Sequence, residues 1–375
     1  MAGRNLASKY ASEVDERFSR ESQAMLALNN NYKFTGVQTV NVYSIPVVPM
    51  NDYNRSGANR YGTPKDLTRN VQTLTVTKDR GYTFIIDKGD KTQSMMVMDA
   101  GKALSRQIRE VWVPEFDTYV FKTLAAKATE RGNYATAKVD KTNAYASFLD
   151  GMESLGNKNV PDKGRVAFCS YKFANLLMQD PAFVKYGDRS QEMVQKGVTG
   201  EVDGCKIVRV PSSRLPNGCA FMITHPIAAT APKQLEEYKI HDNPPGISGW
   251  LVEGRVIYDC FVLNEKADAI YYHGDQPVLK GLNVTTAGTD AGKTTILVEP
   301  SAPESGNTWM YQMAADDKSL AKVAYGTAIT DSAWTALPGN GSEVAAGTGK
   351  NVVAVVEIDS AKKPLAYGKA IVNAG

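Results

Sequence analysis

Long apolar runs are missing from this chain of 375 residues: none approaches the roughly 20 residues that cross a bilayer, so a helical membrane protein is excluded. The N-terminal stretch MAGRNLASKYASEVDERFSR is charged and polar and has no signal-peptide core. An excess of one charge is missing too. With 43 basic against 40 acidic residues, no domain is basic enough to suggest a protein whose main task is gripping nucleic acid. Cysteine is scarce. Cys169, Cys205, Cys219 and Cys260 each lie in or beside an apolar strand, without C-x-x-C spacing, and read as small buried hydrophobes in a reducing cytoplasm.

The usual signatures of chemistry are also absent. The three histidines, His225, His241 and His273, have neither helix-face nor finger spacing, so no metal site is expected. No G-x-S-x-G elbow occurs. GTDAGKT resembles a phosphate-binding loop, but only three residues separate Gly288 from Gly292, and a strand follows where a helix is required. Carboxylate pairs such as Glu236 and Glu237 sit in polar segments that give both groups the same solvated environment. The chain is therefore read as not an enzyme, with no cofactor.

What is present is strand and helix patterning over a length that predicts two or three domains. Residues 197–273 alternate apolar runs with turns: strands are expected at 206–210, 219–224, 250–261 and 269–272. Upstream, Leu6 to Leu28 has helical spacing and is expected to dock on another subunit or domain. Residues 37–48 and 71–77 read as strands flanking a tip, 51–70, that holds almost no large aliphatic side chain. That is the pattern of an extended hairpin reaching away from the body. Met95 to Ala128 is the longest helical pattern, with an apolar stripe that includes Ile108, Val111, Phe116 and Val120. Pro114 lies inside it and should kink or divide it. A second helix (144–156), a strand (166–170) and a helical segment (172–179) ended by Asp180-Pro181 follow.

After His273 helix signal nearly vanishes. Short strands are expected at 294–298, 308–313, 320–325, 352–358 and 369–372, with Trp309, Tyr311, Tyr325 and Trp334 as core candidates. The spacing predicts a separate β-sandwich of the immunoglobulin-like kind.

Three segments together carry a resemblance: MDAGKALSRQIREVWVPEFDTYVFKTLAAKA (98–128), GEVDGCKIVRVP (200–211) and GWLVEGRVIYDCFVLNEKADAIYYH (249–273). In their order and coverage, residues 1–273 resemble the major capsid proteins of tailed bacteriophages, which share the Hong Kong 97 phage capsid fold. The implied class is α+β with a β-sandwich appended. The resemblance implies an N-terminal arm at 1–36, an extended loop at 37–78 and a peripheral domain with its spine helix at 79–143. It further implies an axial domain at 144–232 and return strands of both domains at 233–273. A linker at 274–282 and a C-terminal β domain at 283–375 complete the expected plan; the tail is similar to accessory domains that project from the outer surface.

By the same resemblance, the chain is expected to self-assemble into hexamers and pentamers of an icosahedral head, enclosing double-stranded DNA without sequence-specific binding. Scaffolding and portal proteins are the expected partners, no membrane is involved, and the virion is the location after assembly in the bacterial cytoplasm. Contacts between subunits are expected from Arg55, Arg60, Lys65 and Arg69 on the loop and Phe18 on the arm. Covalently linked members of the family use a Lys–Asn bond; no such pair is assigned in this sequence, and none is expected. Two alternatives share features of the pattern: an encapsulin-type compartment shell, and an adhesion or carbohydrate-binding protein working through its tail.

Overall fold

The computed structural model describes residues 22–32, 39–64, 66, 69–89, 100–185, 201–288 and 292–373. Most of the helix expected at 6–28, including Phe18, and Lys65 on the loop lie outside the described residues. Among those described, Ala24–Ala27 is a single 3₁₀ turn.

Two sheets and one long helix make the body. The first sheet is antiparallel, in the order Lys233–Asp242, Gly249–Tyr258, Lys78–Asp87. The second has six strands in the order Tyr134–Ala135, Ile270–Gly274, Cys219–Thr224, Val166–Ser170, Cys205–Val210, Glu201–Val202. Its centre is mixed, since Val166–Ser170 pairs parallel with one neighbour and antiparallel with the other. All five residues of that strand are buried, as expected where both faces are covered. The strand runs directly into the helix Tyr171–Gln179, because Ser170 caps it by accepting a hydrogen bond from the Phe173 amide. Asp180 ends the helix and also accepts from the amide of Tyr145, at the start of the helix Ala144–Asn157.

The long helical run consists of Ala100–Gln107, a π-helical turn Ile108–Trp112, and Val113–Glu130. Pro114 has no N–H to give, and within a plain α-helix its ring would meet the carbonyl four residues back. The π turn resolves this: the Val113 amide bonds to the Ile108 carbonyl, and Pro114 falls in the first turn of the next segment, where its missing donor is not needed. The extra residue rotates the apolar stripe. Ile108, Phe116 and Val120 are buried, but Trp112 takes the inward position and Val111 is 48% exposed, contrary to the expected stripe.

The helix bridges both sheets. Trp112 and Phe116 pack on Tyr258 at the end of the first sheet, with ring centroids 4.6 and 5.7 Å away, and Phe121 meets Phe168 of the second at 4.9 Å. One continuous core results.

Residues from Lys280 onward form a two-layer sandwich. Five strands lie in the order Lys280–Gly281, Pro364–Ile371, Val352–Ile358, Thr308–Ala314, Thr335–Leu337, opposite three in the order Asn283–Gly288, Lys293–Glu299, Ser342–Ala345. Trp309 and partly buried Tyr311 belong to the cluster between the layers. Trp334 belongs to a second cluster on the far face of the larger sheet.

Three expectations for this region need correction. Residues 320–325 form no strand; Leu320 and Val323 instead cover that far face, and the Ala321 amide bonds to the side chain of Gln312. Tyr325 belongs to neither cluster. It is half-buried, and burial raises its phenol pKa, with Tyr134 and Glu130 of the body beside it. The expected linker 274–282 is shorter, because Lys280–Gly281 already pairs with 366–367 and Leu282 is buried between the layers.

Candidate assembly surface

The strands Thr39–Ser44 and Asn70–Thr75 pair antiparallel in unbroken register, from Thr39 opposite Thr75 to Ser44 opposite Asn70. Leu74 and Val76 turn one side of this stem onto Leu263 of the body. Gln72 fastens it further: its amide donates to the Val262 carbonyl at 2.9 Å and accepts from the Asn264 amide at 2.9 Å. At the base, buried Asp259 accepts from the Thr77 amide and hydroxyl, the Tyr119 hydroxyl and its neighbour's amide, at 2.6–2.9 Å. Burial, reinforced by the Asp259 charge, raises the Tyr119 pKa, so the phenol stays a donor. The stem is thus rooted in both the long helix and the first sheet.

Beyond Ser44 and Asn70 the chain leaves the body. The tip closes on itself through the Asn54 amide to the Arg60 carbonyl (2.9 Å) and an edge contact of Tyr53 with Tyr61 (4.9 Å). Gly57 (φ 87°) and Gly62 (φ 92°) take left-handed conformations that glycine adopts without strain. Arg60 donates to the Gly57 carbonyl, Arg69 lies 5.2 Å over the Tyr43 ring, and Arg55 is exposed. These arginines line one extended element but do not converge on a point.

The most unusual surface was not among the expected contact residues. Ile45, Val47 and Met50 are 71%, 93% and 98% exposed, and Tyr61 is 84% exposed. Exposed apolar groups clustered on a projecting element mark a surface suited to a partner. The signal is present in the sequence: Pro46 and Pro49 bracket an apolar run and deny it the pairing that would bury it.

The N-terminal segment is held differently. Asp117, fully buried on the long helix, accepts from Ser22 Oγ (2.5 Å), the amides of Gln23 (3.1 Å) and Ala24 (3.2 Å), and Arg214 Nη1 (3.0 Å). Asn29 then bonds to Ala229 and Thr230. Residues 22–32 therefore dock on their own body.

The cysteines among the described residues are not poised as nucleophiles. All four cysteines are free and buried, and burial pushes the thiols of Cys205 and Cys219 up to about 12, far from a reactive thiolate. No group of three metal-binding side chains forms there. His273 is buried against Phe221 and bonds to the Ala137 carbonyl, His241 pairs with Glu253, and His225 bonds to backbone groups. No described helix is long and apolar enough to cross a membrane.

Solved structures share this architecture at low sequence identity. A chain from Mycobacterium phage Che8 matches with TM-score 0.56 and 17% identity, covering 68% of this chain and 91% of its own. The capsid structure of Cyanophage P-SCSP1u matches at 0.53 and 13%, covering 64% and 84%. The mature capsid of bacteriophage PhiM1 matches at 0.50 and 11%, covering 65% and 84%. The chain has the phage capsid fold.

These structures cover 64–68% of the chain. A family model described as the S-layer protein SbsC C-terminal domain matches residues 286–375, in keeping with a β-rich domain added to the capsid fold. No curated protein matches the chain.

Proposed function

We propose that this protein is a major capsid protein, a structural subunit that self-assembles into hexamers and pentamers of an icosahedral phage head around double-stranded DNA. The observation that carries the reading is the projecting hairpin: a capsid-fold subunit holds a firmly rooted stem, and the apolar residues between that stem and the tip are left exposed by its own chain. In this reading residues 37–78 are the extended loop and 79–143 hold the peripheral domain and spine helix. Residues 144–232 form the axial domain, and 233–273 return through both. The balanced charge suits a shell wall that encloses DNA without reading it. Scaffolding and portal proteins are the partners, the virion is the location, and assembly takes place in the host cytoplasm. The protein has no enzymatic role here.

The tail is proposed to stand on the outer surface, the one side of a shell where an added domain disturbs no neighbour contact. Its likeness to a surface-layer domain favours the same side.

Negative-stain microscopy of the purified protein tests the reading: closed shells of uniform size are expected. A folded chain that stays monomeric under all assembly conditions, with its hairpin intact, overturns it.

A further inference from the structure

A groove runs between the first sheet, the long helix and the opening strands of the tail, lined by Lys78, Tyr119, Lys122, Asn283, Thr285 and Glu299 among others. Lysines from three elements meet at this boundary. Lys78 opens a strand of the first sheet, and its Nζ lies 5.4 Å from the Tyr119 ring on the long helix. Lys122 follows about one turn later on the same face of that helix. Its Nζ reaches the first strand of the tail: a side-chain carbon added at Gly281 would lie 3.9 Å from it. Gly281 is the register partner of Tyr367, and Lys369, two residues further along that strand, shares the same side of the sheet.

Two of the three amines are answered by the protein. Lys78 Nζ donates to Asn283 Oδ1 at 3.1 Å, and Asn283 Nδ2 in turn donates to Glu299 Oε2 at 2.8 Å. Burial lowers the Lys78 pKa, but the charges of Asp259, Glu299 and Glu115 oppose that shift. Lys369 pairs with Asp317. Lys122 has no carboxylate partner among the described residues. Burial, then the charges of Lys78 and Lys369, hold its pKa below the ordinary value. The side chain is nonetheless exposed overall, so an ion reaches it from water.

We propose that this boundary binds a small phosphate-class oxyanion, held between Lys122 of the body and Lys369 of the tail with Lys78 beside them, so that one ion ties the two domains together. Amines that repel one another are relieved best by a compact ion with more than one charge and several acceptor oxygens, which phosphate has and chloride lacks. Thr285 adds a hydroxyl that bonds to no described residue. Asp79, Glu115 and Glu299 also line the groove, and they oppose a run of nucleic-acid phosphates laid along it. No described residue of the body belongs to either apolar cluster of the tail, so docking here relies on polar ties that such an ion strengthens. The site lies within one subunit and does not depend on assembly.

Isothermal titration calorimetry of the soluble full chain tests the proposal, with sodium phosphate or a short DNA duplex injected into chloride buffer of matched ionic strength. Saturable phosphate binding is expected, weakened about tenfold or more in Lys122→Met and in Lys369→Met, since each removes a charge-assisted hydrogen bond. Lys122→Arg should retain it, which separates lost charge from lost folding. In chloride alone Lys122→Met should melt no lower than the wild type, because the charge removed is one its neighbours oppose. Phosphate should raise the melting temperature of the wild type and leave that of Lys122→Met where it was. A folded wild-type chain without saturable phosphate binding overturns the proposal, as does binding that either methionine variant leaves unchanged. Tighter binding of the duplex than of phosphate, lost in Lys122→Met, would assign the lysines to nucleic acid and equally overturns it. The phosphate titration is read first in the wild type, so poor folding of a variant leaves the test intact.

Discussion

Asp117 has both carboxylate oxygens occupied in the middle of the long helix, by two backbone amides, a serine hydroxyl and Arg214. A charge buried this completely is stable only while its partners remain. Asp117→Ala should cost about 3–5 kcal/mol, since it strands Arg214 and two amides. Native-state hydrogen exchange at Gln23 and Ala24 should rise more than at the helix itself, and unchanged protection there would show that the segment is held by other contacts. A second pair of variants tests the π turn. Phe116→Ala, at a ring with no exposed surface, should destabilise the soluble subunit by about 3–5 kcal/mol. Val111→Ala should stay within about 0.5 kcal/mol, because its side chain is half in water. Equal losses of melting temperature would mean that the stripe is not rotated.

Among the elements, the hairpin is the part whose stem and tip obey different rules. The stem is fixed by register, Gln72 and the Asp259 knot, so changes beyond Ser44 should not reach the core. Deleting 54–63 should leave a folded, soluble subunit that forms no shells, checked by thermal melting beside microscopy. Replacing Ile45, Val47 and Met50 together with serine should leave the melting temperature unchanged and sharply lower the assembled fraction. Normal shells from either variant would remove the hairpin from the account of assembly.

For the whole molecule, the question is how the tail is attached. Val278 packs on the body core and its amide bonds to Thr129, and Lys280–Gly281 runs beside the helix Val113–Glu130 before joining the tail sheet. A cut after Leu282 would leave a sandwich residue on the body, so the truncation should end at Val278. That shortened chain is expected still to form particles, and antibodies against 280–373 should label intact wild-type particles. Folded truncated chains that never assemble would show instead that the tail contributes contacts between capsomers.

Local chemistry determined much of this architecture. Alternation and turn residues locate the strands Val166–Ser170, Cys219–Thr224 and Val352–Ile358, and two strand-forming runs around a polar stretch specify the hairpin. The order of these elements pointed to the capsid fold. What the sequence could not carry were outcomes that depend on how a local conflict is relieved or on distant partners. Val111 turned outward because a π turn relieves Pro114, and Leu320 became a cover for a sheet face instead of a strand within it. Lys280 joined the tail because a strand more than 80 residues later offered it an edge. The grouping of Lys78, Asn283 and Glu299 is of the same kind: pairing holds two of them together, but only the docking of tail on body brings the lysine to them.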